Sequence, residues 1–434
     1  METSKQETET LSNNKWKWVE ASIWSENMLT ALDNGVKGGK WFSLIDKVYR
    51  KKTLEMAWKK VKSNRGASGV DDVTIAKFKA KEEEYLSELY IELKEGTYQP
   101  EAVQRVYIPK GQGKKRPLGI PTIKDRIAQQ AVKMVLEPIF ENEFVETSYG
   151  FRPNRGAKQA IAQVEQLIKE GYIWAVDADL QAYFDTIPHD KLQTKVQEKI
   201  SDGRINSLIK MWLTQEVMEE CKNWTPTQGT PQGGVISPLL ANIYLHGLDI
   251  EMSRAGYKMV RYADDFVILT QSESQAQQAL EIVQNWVEGN GLTLHPEKTH
   301  LGNCMIKGEG FDFLGYRFEG GDTWVRNKSS QAFRERVRQK TSRCCGKSIQ
   351  KVIDELNPIL RGWCQYFKEV TKYTLVTFDG FVRRRLRAII AQQNKKRCFG
   401  AGRYNQKIPN KFFAKLGLFD MENYQVLARA GRSR

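Results

Sequence analysis

Histidine is scarce in this chain of 434 residues: there are four, His189, His246, His295 and His300. Zinc ligands come in closely spaced sets, which these scattered positions do not offer, so a histidine-based metal centre is not expected. Cysteine is almost as sparse. The six thiols, Cys221, Cys304, Cys344, Cys345, Cys364 and Cys398, lack the paired spacing of a zinc site, and a reduced cytoplasmic setting is the simplest account of them. No run of 18 apolar residues occurs, which argues against a membrane span. Residues 1–14 are polar and include acids, a composition that fits neither a secretory signal nor a transit peptide.

Charge is present in excess, and its position matters more than its size. The chain carries a net +15, yet residues 326–434 alone hold 26 Lys/Arg against 7 Asp/Glu. The rest, with 41 basic and 45 acidic residues, is slightly acidic. A near-neutral body with a polycationic last quarter predicts a nucleic-acid partner, because neutralising phosphates dominates such binding. No lipidation motif or long amphipathic anchor supports a membrane surface as the alternative.

The acidic residues that stand out are Asp264 and Asp265, set after Tyr262 and Ala263 between the apolar runs Met259-Val260 and Phe266–Leu269. Strand formers on both sides predict a β-hairpin with two carboxylates at its turn. The segment Trp174–Phe184 starts as a strand and puts Asp177 and Asp179 on one face, since side chains alternate with period two. Carboxylates gathered in this way suit two hard cations about 3.5–4 Å apart, one activating an attacking hydroxyl and the other holding the leaving group of an in-line phosphoryl transfer. Mg²⁺ keeps several waters, so two or three acids suffice. Taken alone, an Asp-Asp pair in a turn is more often mere turn chemistry. The surrounding segments reverse that balance.

Val103–Pro109 alternates like a strand and leads through a Gly- and Lys-rich tip to Arg116-Pro117-Leu118-Gly119. On that hairpin Lys110 and Arg116 are the expected triphosphate contacts. Asp125–Phe140 has helical spacing and is expected to end near Pro138. Arg152 and Arg155, around the turn Gly150–Gly156, suit a template backbone. The stretch Thr230-Pro231-Gln232-Gly233-Gly234 has glycines that admit close approach of a nucleotide or template base beside Gln232. A helix through Ala276, Ala279, Leu280, Val283 and Val287 then precedes a strand beginning at Leu292-Thr293-Leu294. Strand, helix, hairpin, helix, strand is the split βαβ order of a ferredoxin-like sheet, which sets Asp179 across from Asp264.

Gly150–Pro153, Thr230–Gly234, Tyr262–Asp265 and Phe313-Leu314-Gly315-Tyr316, in this order, resemble the reverse transcriptases encoded by group II introns, the reverse transcriptase–maturase family. The likeness runs from about Ser43 to Leu418. It implies an α+β right-hand polymerase: fingers over 49–172, a ferredoxin-like palm over 173–322, an α-helical thumb or maturase domain (domain X) over 323–390 and a basic C-terminal region over 391–434, with residues 1–48 as an N-terminal extension. By the same resemblance Asp179, Asp264 and Asp265, with the carbonyl of Leu180, hold two Mg²⁺ ions, for which Mn²⁺ is a substitute. Asp177 shares the face of Asp179, and only the spacing to Phe184 favours the latter. Phe184 matches the residue that stacks under the sugar and excludes a 2′ hydroxyl, Lys298 a lysine that protonates pyrophosphate, and Phe313, Gly315 and Tyr316 the wall at the primer end. Gln232 and Gly233 fall on nucleotide and template.

Deoxynucleoside triphosphates, an RNA template, a DNA primer, group II intron RNA and target DNA are the implied partners. Arg383, Arg384, Arg385 and Arg387, with Lys395, Lys396 and Arg397, are expected on nucleic-acid phosphates. No endonuclease domain is expected, because nothing after Cys398 supplies its cysteines and histidines. Two rivals stand beside this reading: an RNA-binding splicing cofactor with a vestigial polymerase site, and a reverse transcriptase serving a non-intron task such as defence.

Overall fold

The computed structural model describes residues 15–111, 114–219, 222–343, 346–394 and 406–430. By compactness the chain forms two units. One comprises residues up to Val164 with Ala178–Ile268 and Gln277–Thr299, and the other Glu165–Asp177, Leu269–Ala276 and His300 onward.

In the first unit, strands β1 (Val103–Gly111) and β2 (Lys114–Ile120) pair antiparallel from Gln104↔Ile120 outward, as the alternating pattern predicts. The short hairpin of β4 (Val217–Glu219) and β5 (Lys222–Trp224) extends this sheet, with β4 parallel to β1, giving the order β2–β1–β4–β5. The chain then enters helix α1 (Ile123–Glu141), started by the Thr122 hydroxyl, which accepts from the Asp125 N–H, and packed mainly against the helix Lys51–Ser63.

The helix stops at Glu141, three residues past Pro138 and close to its expected end, so the proline lies within its last turn. Proline removes the N–H that would bond the carbonyl four residues back and so strands that acceptor. Here the carbonyl of Met134 is met instead by the indole N–H of Trp24, at 3.3 Å. The N-terminal segment is thus part of the unit: Trp16, Trp24 and Trp41 pack on it, and Trp41 exchanges backbone hydrogen bonds with Lys199 and Ser201.

Strands β3 (Trp174–Asp179), β6 (Lys258–Tyr262), β7 (Asp265–Thr270) and β8 (His300–Asn303) form a sheet in the order β6–β7–β3–β8. Read in chain order, that is the ferredoxin-like arrangement expected. Helix α2 (Ser237–Arg254) precedes the β6–β7 hairpin, and α3 (Glu273–Gly289) follows it. The expected strand at Leu292–Leu294 is only an isolated bridge, Leu180↔Leu294; the outer strand is β8, paired antiparallel to β3 from Trp174↔Asn303 to Asp177↔His300.

In the second unit, strands β9 (Phe311–Phe313), β10 (Tyr316–Glu319) and β11 (Asp322–Val325) make a small antiparallel sheet ordered β11–β10–β9. Helices α4 (Asn327–Lys340), α5 (Ile349–Tyr366), α6 (Lys372–Gln393) and α7 (Met421–Ala430) follow. The apolar stripe of α5 buries Leu356 and Leu360, and the Trp363 ring packs tilted against Phe333 and Phe367 and edge to face with Phe378. Asp379 of α6 caps α7 by accepting from the N–H groups of Met421 and Glu422. Among the described residues, no helix is long and apolar enough to cross a membrane.

Candidate active site

The turn that carries the paired acids is Ala263-Asp264, and Ala263 holds φ at +60°. A β-carbon in that region costs about 1–2 kcal/mol, so something must hold the turn. Two groups do. Gly150 lies flat against it: a β-carbon there would fall 2.2 Å from the Ala263 nitrogen. Arg261, fully buried, donates from Nη1 to the Ala263 carbonyl at 2.9 Å and to Asn242 Oδ1 at 2.9 Å.

The same guanidinium makes a two-pronged pair with Asp249, Nε to Oδ1 at 2.7 Å and Nη2 to Oδ2. Burial works against its charge, but the Asp249 carboxylate outweighs that and raises its pKa above the ordinary value. Asn242, seven residues before Asp249 on α2, returns to the turn through Nδ2, which donates to the Gly150 carbonyl at 2.7 Å. Backbone bonds between Tyr149 N and Arg261 O, and between Arg261 N and Thr147 O, close the frame.

Asp179 ends β3, and Asp265 begins β7, its neighbour in the sheet. The Thr270 hydroxyl reaches the Trp174 carbonyl at the other end of both strands, so the two run antiparallel. Asp179, Asp264 and Asp265 therefore belong to one end of the sheet. The Asp179 carboxylate is ion-paired with Lys298, and its carbonyl accepts from His295 N at 2.7 Å. Asp177 lies two residues back from this end, opposite His300, whose Nδ1 is 3.8 Å from its carboxylate. Among the described residues, no three His, Cys, Asp or Glu side chains are gathered closely enough to ligate an ion in this conformation. Uncompensated carboxylates repel one another, and here the Lys298 ammonium supplies positive charge to one of them. The donor chemistry, all carboxylate and carbonyl oxygen, fits a hard divalent cation.

Leu180, buried, bridges to Leu294, and Ala182 again takes positive φ, 48°. That bend aims Phe184 toward Phe151, edge to face at 6.5 Å, and Phe151 lies 6.5 Å from the Tyr262 ring. Phe184 is only half-buried, so the expected sugar-facing role is sterically open to it. Gln232 links two other segments: its amide donates to Asp185 at 2.7 Å and its carbonyl oxygen accepts from Arg116 Nε at 3.0 Å. Gly233 makes that approach feasible, for at φ 115° a β-carbon would fall 2.2 Å from the Gly119 carbonyl. Burial pushes the Asp185 carboxyl upward, while Arg105, Gln232 and Arg116 pull it down.

Several expected contacts are placed otherwise. Arg152 is a buried strut, not an exposed phosphate contact: it pairs with both oxygens of Glu141 and donates to the carbonyls of Phe144, Val145 and Ser148. Arg155 turns to Glu146, leaving it partly exposed. Phe313 and Tyr316 are core residues; the Tyr316 hydroxyl donates to the Tyr366 carbonyl and its ring packs on Phe367 at 5.0 Å. Only the turn between them, Leu314 at φ 48° and Gly315 at φ 85°, reaches the surface of the unit.

The arginine run on α6 is likewise largely committed. Arg383 pairs with Asp420 at 2.9 Å, Arg385 with the Thr341 hydroxyl and carbonyl, and Arg387 with the Ile408 carbonyl and Asn410. These correct the expectation of four phosphate contacts. Arg384 is the exposed member, its guanidinium 5.9 Å from the Phe381 ring, which Arg338 also approaches at 5.7 Å. The side chain of Lys110, and Lys395, Lys396 and Arg397, lie outside the described residues. Cys304 and Cys364 are buried thiols, pushed up to about 11 and about 12, and so are inert.

Missing from the sequence reading were Arg261, Asp249 and Asn242. Their signal was available: an arginine inside an apolar strand demands an acid, and Asn242 and Asp249 share a helical face.

A palm-type sheet with an acidic hairpin, framed by a glycine-rich loop and an arginine-bearing hairpin, is the architecture of a template-directed nucleotide polymerase. The family described as reverse transcriptase (RNA-dependent DNA polymerase) matches residues 108–318, and that described as group II intron, maturase-specific domain matches residues 330–406. Protein YkfC of Escherichia coli (strain K12) is 36% identical over 296 residues, covering 59% of this chain and 77% of that protein. The group II intron-encoded protein LtrA of Lactococcus lactis subsp. cremoris is 42% identical over 197 residues, 45% of this chain and 32% of its own length. A solved structure of telomerase from Candida albicans is similar at a TM-score of 0.42 and 13% identity, covering 74% of this chain and 64% of that one.

The chain belongs to the group II intron reverse transcriptase–maturase family, whose activity class is RNA-directed DNA polymerase with a role in intron splicing and mobility. RNA partners and a divalent metal requirement go with that class. The chain spans about a third of the length of LtrA, 32%.

Proposed function

We propose that this chain extends a DNA primer on an RNA template by two-metal phosphoryl transfer, using Mg²⁺ and deoxynucleoside triphosphates, and that it binds group II intron RNA to assist splicing. The observation that carries this is the held turn: a strained Ala263-Asp264 pair, clamped by Arg261 and Gly150, sets two acids at the end of the sheet where Asp179 sits.

In this reading Asp179, Asp264 and Asp265 ligate the metals with the Leu180 carbonyl. Bound ions would polarise the attacking 3′ hydroxyl and stabilise the leaving pyrophosphate. Lys298, already at Asp179, is placed to give a proton to that leaving group once a cation takes over its carboxylate. Arg116 and Gln232 hold the triphosphate, Lys110 assists them, and Phe184 rejects a 2′ hydroxyl by contact. Arg155, Gly233 and the Leu314-Gly315 turn border template and primer. Arg384, Lys395, Lys396 and Arg397 supply phosphate contacts for intron RNA and target DNA.

Extension of a DNA primer on an RNA template with Mg²⁺, comparing wild type with Asp264→Asn, tests this. Synthesis by wild type alone supports it. No synthesis by either, from folded protein that binds RNA, would turn the assignment to a splicing cofactor.

A further inference from the structure

Beside the Gln232–Asp185 link is a cavity of about 430 Å³, bounded by β1, β2, the β4–β5 hairpin and the segment Thr225–Gln232. Asp179, Asp264 and Asp265 are not among the residues that line it. On its wall the guanidinium of Arg105 lies 5.2 Å from the ring centroid of Trp224, forming a flat cationic and aromatic surface. Trp224 is half-buried, so much of its ring is free of the core. Arg105 and Asp185 face each other across the same space closely enough for their charges to interact.

A second observation points to a ligand. Thr230, also on the wall and 2% exposed, has a buried hydroxyl with no hydrogen-bond partner among the described residues. An unmade buried hydrogen bond costs about 1–3 kcal/mol, so a hydroxyl left in this state beside a cavity is poised for a polar guest. The cavity also falls within the range of about 300–1,000 Å³ typical of small-ligand sites.

We propose that this cavity receives an unpaired nucleobase of the template strand, the one next to be copied, stacked on Trp224 and Arg105 and read at its edge by Thr230 and Asp185. An aromatic ring backed by a guanidinium is the platform on which single-stranded bases stack. Hydroxyl and carboxyl groups offer the donor and acceptor that a base edge needs. Location selects the template as the source. Asp185 follows Phe184 directly, and Gln232 touches Arg116, so the cavity adjoins the nucleotide site. A strand feeding that site must present each base unstacked from the one behind it. This inference rests on the polymerase reading above.

The test uses the full chain with a primer and RNA templates that end either at the templating base or one nucleotide beyond it, the extra base being 2-aminopurine. Wild type should bind the longer template roughly five- to a hundredfold more tightly, with a change in 2-aminopurine fluorescence. Trp224→Ala should remove both effects, Trp224→Phe should keep most of each, and Thr230→Val should narrow the preference among bases placed at that position. An equal increase in affinity from the extra base in wild type and Trp224→Ala overturns the proposal. So does saturable binding of free 2-aminopurine riboside to the cavity with no tighter binding of the longer template, which would make this a nucleoside site. Primer extension by wild type on the shorter template is measured alongside. Failure there removes the polymerase reading, whereas extension without the affinity increase removes only the base pocket.

Discussion

Replacing Asp249 by alanine would leave the guanidinium of Arg261 buried without the carboxylate it is hydrogen-bonded to. Both side chains are within 1% of complete burial, and the pair is held by two hydrogen bonds. Breaking one side of such a pair costs about 3–5 kcal/mol, because the surviving charge stays desolvated. At about 2–4 °C per kcal/mol the unfolding midpoint of the unit should fall by roughly 6–20 °C. Replacing the pair by apolar residues of similar volume is often neutral. The double variant Asp249→Leu with Arg261→Met should therefore recover most of the lost stability.

Extension activity should not return with it. The methionine cannot donate to the Ala263 carbonyl or to Asn242, the two contacts through which Arg261 holds the acidic turn. A misplacement on the order of 1 Å at a reacting centre can cost about a hundredfold in rate. Urea unfolding and single-turnover primer extension on the same preparations separate the two effects. A double variant as active as it is stable would refute the idea that Arg261 positions the turn.

Gly150→Ala should lower extension by about a hundredfold with less effect on stability, since its β-carbon would push on Ala263 from 2.2 Å; wild-type rates would contradict the close approach. Phe184→Ala should raise ribonucleotide incorporation on the order of tenfold relative to deoxynucleotide, read from competition between the two triphosphates, because the smaller side chain no longer clashes with a 2′ hydroxyl. Asp125, whose carboxylate accepts from Tyr98, Gln215 and the Glu101 backbone, is pushed up to about 6 by burial. The folded chain then holds a proton that the unfolded one, near 3.9, has lost. Stability should fall as pH rises from about 4 to about 6, by up to about 3 kcal/mol, and urea midpoints of Asp125→Asn should lack this component.

Periodicity made the larger elements legible. The hairpin of β1 and β2, the helices α1 and α3 and the order of the palm sheet follow from alternation and helical spacing. What stayed hidden was mostly backbone conformation and side-chain commitment. Phe151, Ala182, Ala263 and Leu314, all in the segments singled out, have positive φ, which no residue type among them advertises. An arginine reads alike in sequence whether it faces solvent, as Arg384 does, or is spent on carbonyls, as Arg152 and Arg387 are. The end of α1 near Pro138 was legible, but the indole donor that meets the Met134 carbonyl orphaned by that proline was not. The bridge at Leu294 and the strand at His300 show that a short apolar triplet does not by itself fix which segment completes a sheet edge.

The donor that rescues the Pro138 helix has a temporal meaning too. Trp24 precedes Met134 by 110 residues, so at about 5–20 residues per second it leaves the ribosome roughly 5–20 s before the carbonyl it serves. The helix is completed by a partner already waiting. A chain begun after Trp24 would make the same helix with its carbonyl open, and the leading tryptophans therefore belong to the assembly of the polymerase body from the first moments of synthesis.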